Sequence, residues 1–280
     1  MTLKQAIESG FQARKAELKG DGEAGRWMSP LRVHIIPKIG KKPVEAIDQH
    51  VLKEVLGPIW HTKPEAAEKA LNRIGLMLKH AAALGLNVDL QATMKARALL
   101  GKQRHETTHI PSLPYEDAPA FYKWLCKRDD VSSRALRFLM LTLGRTTEVR
   151  LAEGEEFAGT IWTLPAGRTK SNIERRIPLV DEAVKLTVKT GFLFPAYKGK
   201  PISDMAMSTM MKREGYTARP HGFRSTFRTW AEECTDADYE TKEACLGHVV
   251  DTGVQAAYQR SDRLEKRRTL LKEWAAFLLR

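Results

Sequence analysis

The sequence predicts a mainly α-helical protein with one small β-sheet, divided into two domains. Three observations carry this prediction. Apolar residues recur at helical spacing over most of the chain, they alternate only in one short region, and a proline-punctuated stretch without periodicity separates two periodic parts. The 280 residues, 42% of them hydrophobic, suffice for two cores of ordinary size. We therefore predict a helical domain at 1–104, a linker at 105–113 and a second domain at 114–280.

The first domain is predicted to be a bundle of about four helices. Its N-terminus, "MTLKQAIESGFQARKAE", has an amphipathic pattern, and "AIDQHVLKEVLGPIW" and "KPEAAEKALNRIGLMLKHAAALGL" repeat apolar residues at i, i+3 and i+4. Proline and glycine in "IIPKIGKKPVEAI", "LGPIW" and "HTKPE" indicate breaks between helices. From 88 to 113 the periodicity is lost, and we interpret the second half of that segment as the linker.

The second domain is predicted to combine helices with a β-hairpin. "YEDAPAFYKWLCKR" and "VSSRALRFLMLTLG" indicate two apolar helices, and "TIWTLPAG" and "NIERRIPLV" alternate around "RTKS". The hairpin tip would carry Arg168 and Lys170. The remainder favours helices and ends in "SDRLEKRRTLLKEWAAFLLR", which could pack on its own domain or dock on a second copy. The apolar side of that last helix consists of Leu270, Leu271, Trp274 and Phe277.

The chain carries a net charge of +12, which indicates either a polyanionic partner, nucleic acid first, or a merely basic soluble protein. Residues 1–104 hold 18 Lys and Arg against 10 Asp and Glu, whereas the other 176 residues hold 28 against 24. We therefore expect the first domain to supply most of the electrostatic attraction to such a partner, and any chemistry to lie outside that domain.

Two further features of the sequence indicate the cellular compartment of the protein. The sequence has no apolar run near the roughly 20 residues of a membrane span, and its N-terminus lacks the apolar core of a secretory signal. Cys126, Cys234 and Cys245 stand far apart without a C-x-x-C pair. We expect a reduced, cytoplasmic protein that makes no membrane contact.

The segment "HETTH" at 105–109 matches the H-E-x-x-H pattern of zinc proteases, which requires a helix. Two β-branched threonines fill its variable positions, and Pro111 biases Ile110 away from helical geometry. We reject a zinc site here and interpret the match as coincidence within the linker.

The stretch "RPHGFRSTFRTWAEE" indicates an anion site at the start of a helix. Pro220 suits the first helical turn, and His221, Arg224 and Arg228 follow at i, i+3 and i+7 on one face. Free backbone N–H groups and the positive end of the helix dipole favour an anion there, with phosphate as the natural candidate. The opposite, apolar side consists of Phe223, Phe227, Trp230 and Ala231.

Other places in the second domain offer similar chemistry. Arg145 follows a helix-ending glycine and precedes Glu148 by three residues, and Lys170 lies on the predicted hairpin tip. His248 follows a Leu-Gly corner, with Tyr258 ten residues later. Each has a structural alternative: Arg145 paired with Glu148, Lys170 in a solvated turn, Tyr258 in the core.

Taken in order, these residues resemble the site of the tyrosine recombinase, or phage integrase, family. The flanking sequences are similar to those of integrases from prophages and genomic islands. They are "GRTTEVRLAE", "RTKSNIERRIPL", "HGFRSTFRTWA", "LGHV" and "AAYQRSDRLEKRR". The resemblance covers about 107–280 closely and 1–104 more weakly, where "HIIPKIGKKPVEAI" and the bundle are similar to the family's core-binding domain. It implies a helical core-binding bundle followed by an α+β tyrosine-recombinase catalytic domain. The matching set is Arg145, Lys170, His221, Arg224, His248 and Tyr258.

The resemblance also implies a mechanism. Tyr258 would attack a DNA phosphodiester and form a 3′-phosphotyrosine, which keeps the bond energy for rejoining. Arg145 and Arg224 would clamp the non-bridging oxygens, and with that charge supplied by side chains neither a metal nor a cofactor is expected. The remaining implied roles are a proton held or shuttled by His221, a hydrogen bond to a non-bridging oxygen from His248, and protonation of the leaving 5′ oxygen by Lys170.

Partners implied by the resemblance are double-stranded DNA at a core attachment site, a homo-tetramer on that DNA, a directionality factor and a host DNA-bending protein. Family members of the island type carry a further N-terminal domain that binds arm-type sites, and this chain begins at the bundle, as expected of a truncated chain or a naturally short recombinase. Two alternatives stay open: a type IB topoisomerase-like enzyme, and a DNA-binding protein without catalysis.

Two neighbouring residues have open roles. Glu148 is expected to position Arg145 or to cap its helix, and Arg228 to serve a structural or a backbone-phosphate role.

Overall fold

The structure, a computed structural model, describes residues 1–22, 26–104, 109–169, 171–248 and 262–280. Within these ranges the chain forms two compact units, Met1–Thr108 and His109–Arg280, each around its own hydrophobic core. The division falls within the segment predicted as the linker. Most described residues are helical and three short strands form one sheet, which confirms the predicted fold class.

The first unit is a bundle that begins where the sequence indicates. The Thr2 hydroxyl accepts a hydrogen bond from the backbone N–H of Gln5, whose side chain accepts one from the backbone N–H of Thr2. This capping box starts the first helix. The helices are α1 (Leu3–Arg14), α2 (Ser29–His34), α3 (Ile36–Ile39), α4 (Gln49–Trp60), α5 (Pro64–Ala83) and α6 (Ala92–Leu100).

Two predictions for this unit are wrong. Pro58 does not end a helix but lies in the last turn of α4, where its missing N–H removes one bond only. The turn persists because Trp60 is buried and its Nε1 donates to the Gly101 carbonyl at 2.9 Å. Helix α6 lies in the segment after residue 88, where no helical period of apolar residues was expected. The period is weak because the buried residues of this helix, Ala92 and Ala96, are small.

The second unit is built around a buried central helix. Asp130 caps that helix by accepting from the backbone N–H of Ser133 at 3.0 Å. The two predicted apolar helices are present, as α7 and α8. The helices of this unit are α7 (Ala118–Cys126), α8 (Val131–Thr142), α9 (Thr146–Arg150), α10 (Asp181–Val184), α11 (Ala206–Arg213), α12 (Phe223–Cys234), α13 (Tyr239–Cys245) and α14 (Leu264–Leu278).

A three-stranded antiparallel sheet packs against α8. Strands β2 (Ile161–Leu164) and β3 (Arg175–Pro178) pair antiparallel, as predicted for a hairpin, with Trp162 opposite Ile177. The sequence did not indicate β1 (Phe157–Ala158), which pairs with β2 over two residues only. The sheet therefore has one more strand than the alternating pattern predicted.

Arg168 does not lie on a solvent-facing tip. The connection folds into a 3-10 turn at Ala166–Arg168, and the Arg168 guanidinium turns back into the unit. It pairs with the Glu156 carboxylate and donates to the Glu148 carbonyl at 2.7 Å. Lys170 and Tyr258 lie outside the described residues, as does the "HETT" part of the rejected zinc pattern.

Helix α14 packs on its own unit. The Trp274 side chain is fully buried, and its Nε1 donates to the Met140 carbonyl of α8 at 2.8 Å. Phe277 packs against Trp230 of α12, with ring centroids 5.6 Å apart. In the single chain described, the helix therefore packs in cis, which is one of the two arrangements that the sequence left open. Among the described residues, no helix is both long enough and apolar enough to cross a membrane.

Candidate active site

The site begins at the end of α8. Leu143 closes that helix in the left-handed region, with φ of 56°, although the sequence indicated the following glycine for this position. The left-handed turn directs the Leu143 carbonyl to the side chain of Arg224, whose Nη1 donates to it at 2.5 Å. The chain then enters α9 through Arg145.

Arg145 is held on both sides of its guanidinium. Its backbone N–H donates to Glu148 Oε2 at 2.7 Å and its Nη1 donates to Glu148 Oε1 at 2.8 Å. Nη2 donates to the Gly247 carbonyl at 3.2 Å. Glu148 therefore both positions Arg145 and caps α9, the two roles that the sequence left as alternatives.

Helix α12 begins after a 3-10 turn at Pro220–Gly222 that carries His221. Gly222 allows a close backbone approach, because a Cβ there would lie 2.3 Å from the Pro111 carbonyl oxygen. The predicted apolar side is confirmed as buried; it consists of Phe223, Phe227, Trp230 and Ala231.

Arg224 is a buried cation. Its side chain is 4% exposed, and besides Leu143 it contacts the Leu246 carbonyl through Nη2 at 2.5 Å. The same Nη2 lies 3.2 Å from His248 Nε2. Burial, followed by the charge of Arg145, lowers the pKa of Arg224 to about 10, so the guanidinium stays protonated at neutral pH.

The corner after α13 is held by arginines. Three consecutive carbonyl groups, those of residues 245, 246 and 247, each accept a hydrogen bond from a different guanidinium: Arg175, Arg224 and Arg145. Gly247 has φ of 62°, and a Cβ there would lie 2.6 Å from Arg175 Cζ. His248 is thus placed by the same arginines that line the site.

Arg175 is a site residue that the sequence analysis missed. Its side chain is 11% exposed, and Nη1 lies 3.6 Å from Glu148 Oε2. Burial lowers its pKa to about 9, with the Glu148 charge acting in the opposite sense. The signal was available: on β3, Arg175 shares a face with Ile177, which is buried.

Charges in this cluster sum to an excess of positive charge. Burial tends to raise the pKa of Glu148, but the hydrogen bond from the Arg145 N–H and the charges of Arg175 and Arg145 outweigh it and lower the pKa. Partial burial, then the charges of Arg224 and Arg145, lower the pKa of His221, which is therefore neutral at neutral pH. A fixed group of guanidinium ions beside neutral imidazole suits a phosphate.

Four of the six predicted site residues thus lie in one cluster, namely Arg145, His221, Arg224 and His248. Arg228 is engaged by two carboxylates, Glu232 through Nη1 at 2.5 Å and Glu243 through Nε at 2.7 Å. These pairs give it a structural role. Glu243 itself was not indicated by the sequence analysis; it stands five residues before His248.

Glu148→Gln is expected to lower the free energy of unfolding by about 3 kcal/mol at neutral pH, because Arg145 and Arg175 lose their buried counter-charge. The folded-state pKa of Glu148 lies below its ordinary value. Its stabilisation is therefore complete above the unfolded-state pKa and is lost as pH falls through the folded-state value. Urea unfolding at several pH values should show parent and variant converging in acid.

The matched control is Glu273→Gln, which removes an exposed carboxylate from α14 and should leave stability nearly unchanged. A Glu148→Gln protein as stable as the parent at neutral pH would contradict this account of the cluster.

Comparison with known proteins adds an independent line of evidence. Residues 4–95 match the model of the phage integrase central domain. The chain is 31% identical over 265 residues to the prophage integrase IntZ of Escherichia coli K12, a match that covers 88% of this chain and 64% of IntZ. It is 28% identical over 261 residues to the integrase of Shigella phage Sf6, covering 87% of this chain and 67% of that protein. The chain thus spans less than two thirds of the length of IntZ.

Solved structures share the fold. A lambda integrase fragment, residues 75–356, solved as a dimer bound to a core site, superposes with a TM-score of 0.69 at 16% identity, covering 94% of this chain and 97% of that one. The Tn1549 transposon integrase, in complex with circular intermediate DNA, gives a TM-score of 0.62 at 14% identity, covering 96% and 98%. The comparisons agree with the family resemblance: residues 4–95 match the phage integrase central domain, and the chain is similar to prophage and phage integrases over most of its length.

Proposed function

We propose that this protein is a site-specific DNA recombinase, an integrase that cleaves and rejoins DNA through a 3′-phosphotyrosine formed on Tyr258. The observation that carries the proposal is the convergence of Arg145 and Arg224 with His221 and His248 in one positively charged cluster. The names of its relatives, which are prophage and phage integrases, support the same function.

Arg145 and Arg224 would bind the scissile phosphate. Both guanidinium groups are held by backbone carbonyls of the 246–247 corner, so they are oriented before any substrate arrives. Arg224 Nη2 and His248 Nε2 lie 3.2 Å apart, so one non-bridging oxygen placed against both could accept from Arg224, and from His248 when Nε2 carries a hydrogen. This preorganised charge stabilises the pentavalent transition state.

The cleavage step needs no further reactant, because one bond to phosphorus forms as another breaks. The Tyr258 oxygen bonds to phosphorus while the bond from phosphorus to the 5′ oxygen breaks. Lys170 supplies the proton to that 5′ oxygen, and neutral His221 is suited to hold or shuttle the proton of the tyrosine. Rejoining is the reverse reaction, with a DNA hydroxyl as nucleophile. The mechanism calls for no metal or cofactor.

DNA is the proposed partner of both domains. Residues 1–104 carry the larger share of the net charge and would bind the core attachment site, and residues 114–280 would carry the chemistry. A homo-tetramer on DNA is proposed as the working assembly, as in the lambda integrase tetramer solved on a Holliday junction. A directionality factor, a host DNA-bending protein and a cytoplasmic location complete the proposal.

The test is a nicked suicide substrate that carries the candidate core site. We expect a protein–DNA adduct that survives denaturation and that disappears in Tyr258→Phe. Tyr197→Phe is the matched control, because Tyr197 is 84% exposed and lies in the same unit.

Other outcomes separate the alternatives. An adduct accompanied by supercoil relaxation and no recombinant product would favour the topoisomerase-like enzyme. Bound DNA without any adduct would favour a DNA-binding protein that lacks catalysis.

A further inference from the structure

We infer that Glu243 is a positioning residue: it fixes which nitrogen of His248 carries the proton and thereby lets His248 hold the Arg224 guanidinium. The inference rests on the proposed function for its role in cleavage. Its structural part is independent of that function.

The end of α13 brings the two side chains together. The backbone N–H of His248 donates to the Glu243 carbonyl at 3.1 Å, and that of Gly247 donates to the Ala244 carbonyl at 3.0 Å. This is the Schellman pattern, with Gly247 as its left-handed residue. The chain reverses there, so that His248 Nδ1 lies 2.6 Å from Glu243 Oε2. The pair follows from the "EACLGH" ending of the helix.

The Glu243 carboxylate is shared with Arg228. Its Oε1 accepts from Arg228 Nε at 2.7 Å, and its side chain is 12% exposed. Burial tends to raise the pKa of Glu243, but the hydrogen bonds from His248 and Arg228 outweigh it and lower the pKa. The group is therefore an ionised carboxylate at neutral pH. Arg228 stands one helical turn after Arg224 on α12, so both ends of the arrangement are held by one helix.

The hydrogen bonds that link Arg224, His248 and Glu243 allow only one assignment of donors and acceptors. A carboxylate accepts and never donates, so His248 Nδ1 must carry the hydrogen in the contact with Glu243. The Nε2 atom of the neutral ring is then an acceptor. Arg224 Nη2, which can only donate, lies 3.2 Å from it. Arg224 therefore donates to His248, and His248 donates to Glu243. The Glu243 carboxylate also accepts a hydrogen bond from Arg228.

Several other charged and titratable groups surround the ring, but none contacts its nitrogens in the described part of the chain. On the side of the site they are Arg145 and Glu148 at α9, His221 before α12 and Arg175 on β3; Glu174, Arg176, Asp262 and Arg267 line the cavity beside the ring. Glu243 and Arg224 alone contact Nδ1 and Nε2 there.

The arrangement serves the reaction in two states. Without DNA, the Nε2 lone pair fixes the orientation of Arg224. For His248 to donate to a phosphate oxygen at the same position, Nε2 must also carry a hydrogen. In that arrangement the Nδ1–H stays on the Glu243 carboxylate, whose negative charge would offset a positive charge on the ring.

Glu243→Gln gives a sharp test, because an amide has one accepting oxygen and one donating nitrogen. Arg228 Nε can only donate, so it takes the amide oxygen and leaves the NH₂ group facing His248 Nδ1. Nδ1 must then accept, and the proton moves to Nε2. There it meets the donating Nη2 of Arg224, and that contact is lost.

The measurement is long-range ¹H–¹⁵N NMR of ring-labelled histidine in the DNA-free protein, at a pH where the ring is neutral. The chain has 8 histidines, and His248→Asn identifies the signal of interest. We expect the Nδ1–H form in the parent and in Glu243→Asp, which keeps the carboxylate, and the Nε2–H form in Glu243→Gln. Glu240→Gln, one turn earlier on α13, is the control and should resemble the parent.

A parent protein in the Nε2–H form, or the same tautomer in parent and Glu243→Gln, would overturn the inference. In the suicide-substrate assay, Glu243→Gln should form adduct about 10- to 100-fold more slowly, with Glu243→Asp recovering part of the loss. If the parent forms no adduct, the proposed function fails, while the NMR result still decides whether Glu243 sets the tautomer. Equal adduct rates in parent and Glu243→Gln would remove Glu243 from the reaction.

Discussion

Arg224→Lys is expected to reduce covalent adduct formation by about 100- to 1000-fold while leaving most DNA binding intact. The guanidinium reaches the Leu143 carbonyl, the Leu246 carbonyl and His248 Nε2 from two nitrogens at once. A lysine ammonium keeps the charge but cannot bridge these positions or present a planar pair of donors to phosphate. Binding survives because backbone phosphates are held mainly by the other basic surfaces of the protein.

The experiment compares adduct formation on the nicked substrate with DNA affinity measured on the same preparation. Arg213→Lys, at the exposed end of α11, is the matched control and should behave like the parent. A thermal unfolding curve shows whether the Arg224→Lys protein is folded. A folded variant that cleaves within tenfold of the parent would remove Arg224 from the proposed mechanism.

Trp274→Ala is expected to lower the free energy of unfolding of its unit by about 3–5 kcal/mol. The side chain is fully buried, its centroid lies 5.0 Å from that of Trp230, and its ring stacks on Phe277 at 5.7 Å. The substitution also leaves the Met140 carbonyl without its donor. Trp274→Phe keeps most of the apolar contact but not the hydrogen bond, and should lose less.

Urea denaturation followed by circular dichroism measures this loss. Lys272→Ala lies on the exposed side of the same helix and should change stability by less than about 0.5 kcal/mol. A Trp274→Ala protein within about 1 kcal/mol of the parent would mean that α14 does not pack in cis on its unit in solution.

Local patterns predicted much of the fold because they reflect local physics. The apolar period of α5 and α8 and the proline at the first position of α5 are properties of short segments. The same holds for the alternation in β2 and β3, whose register follows from which residues are buried. Helix α6 escaped prediction because alanines bury little apolar surface, and β1 because two residues carry no period.

Pro58 shows how tertiary packing overrides a local signal. A proline costs one helical hydrogen bond in the last turn of α4, and the burial of Trp60 with its bond to Gly101 offsets that loss. Nothing in "LGPIW" indicates the partner at residue 101, which lies more than forty residues away.

The sequence by itself, through its resemblance to a known family, indicated the residues of the proposed chemistry, among them Arg145, His221, Arg224 and His248. Only the tertiary structure decided how they are held. The carbonyls of residues 245–247 collect three guanidinium groups from β3, α12 and the start of α9, and Glu243 joins His248 to Arg228. Such contacts depend on where distant segments meet, and a hydrogen bond between them leaves no periodic trace in the sequence. The helix ending at α13 is the one place where local pattern and site geometry coincide, because the turn that places His248 is itself a local motif.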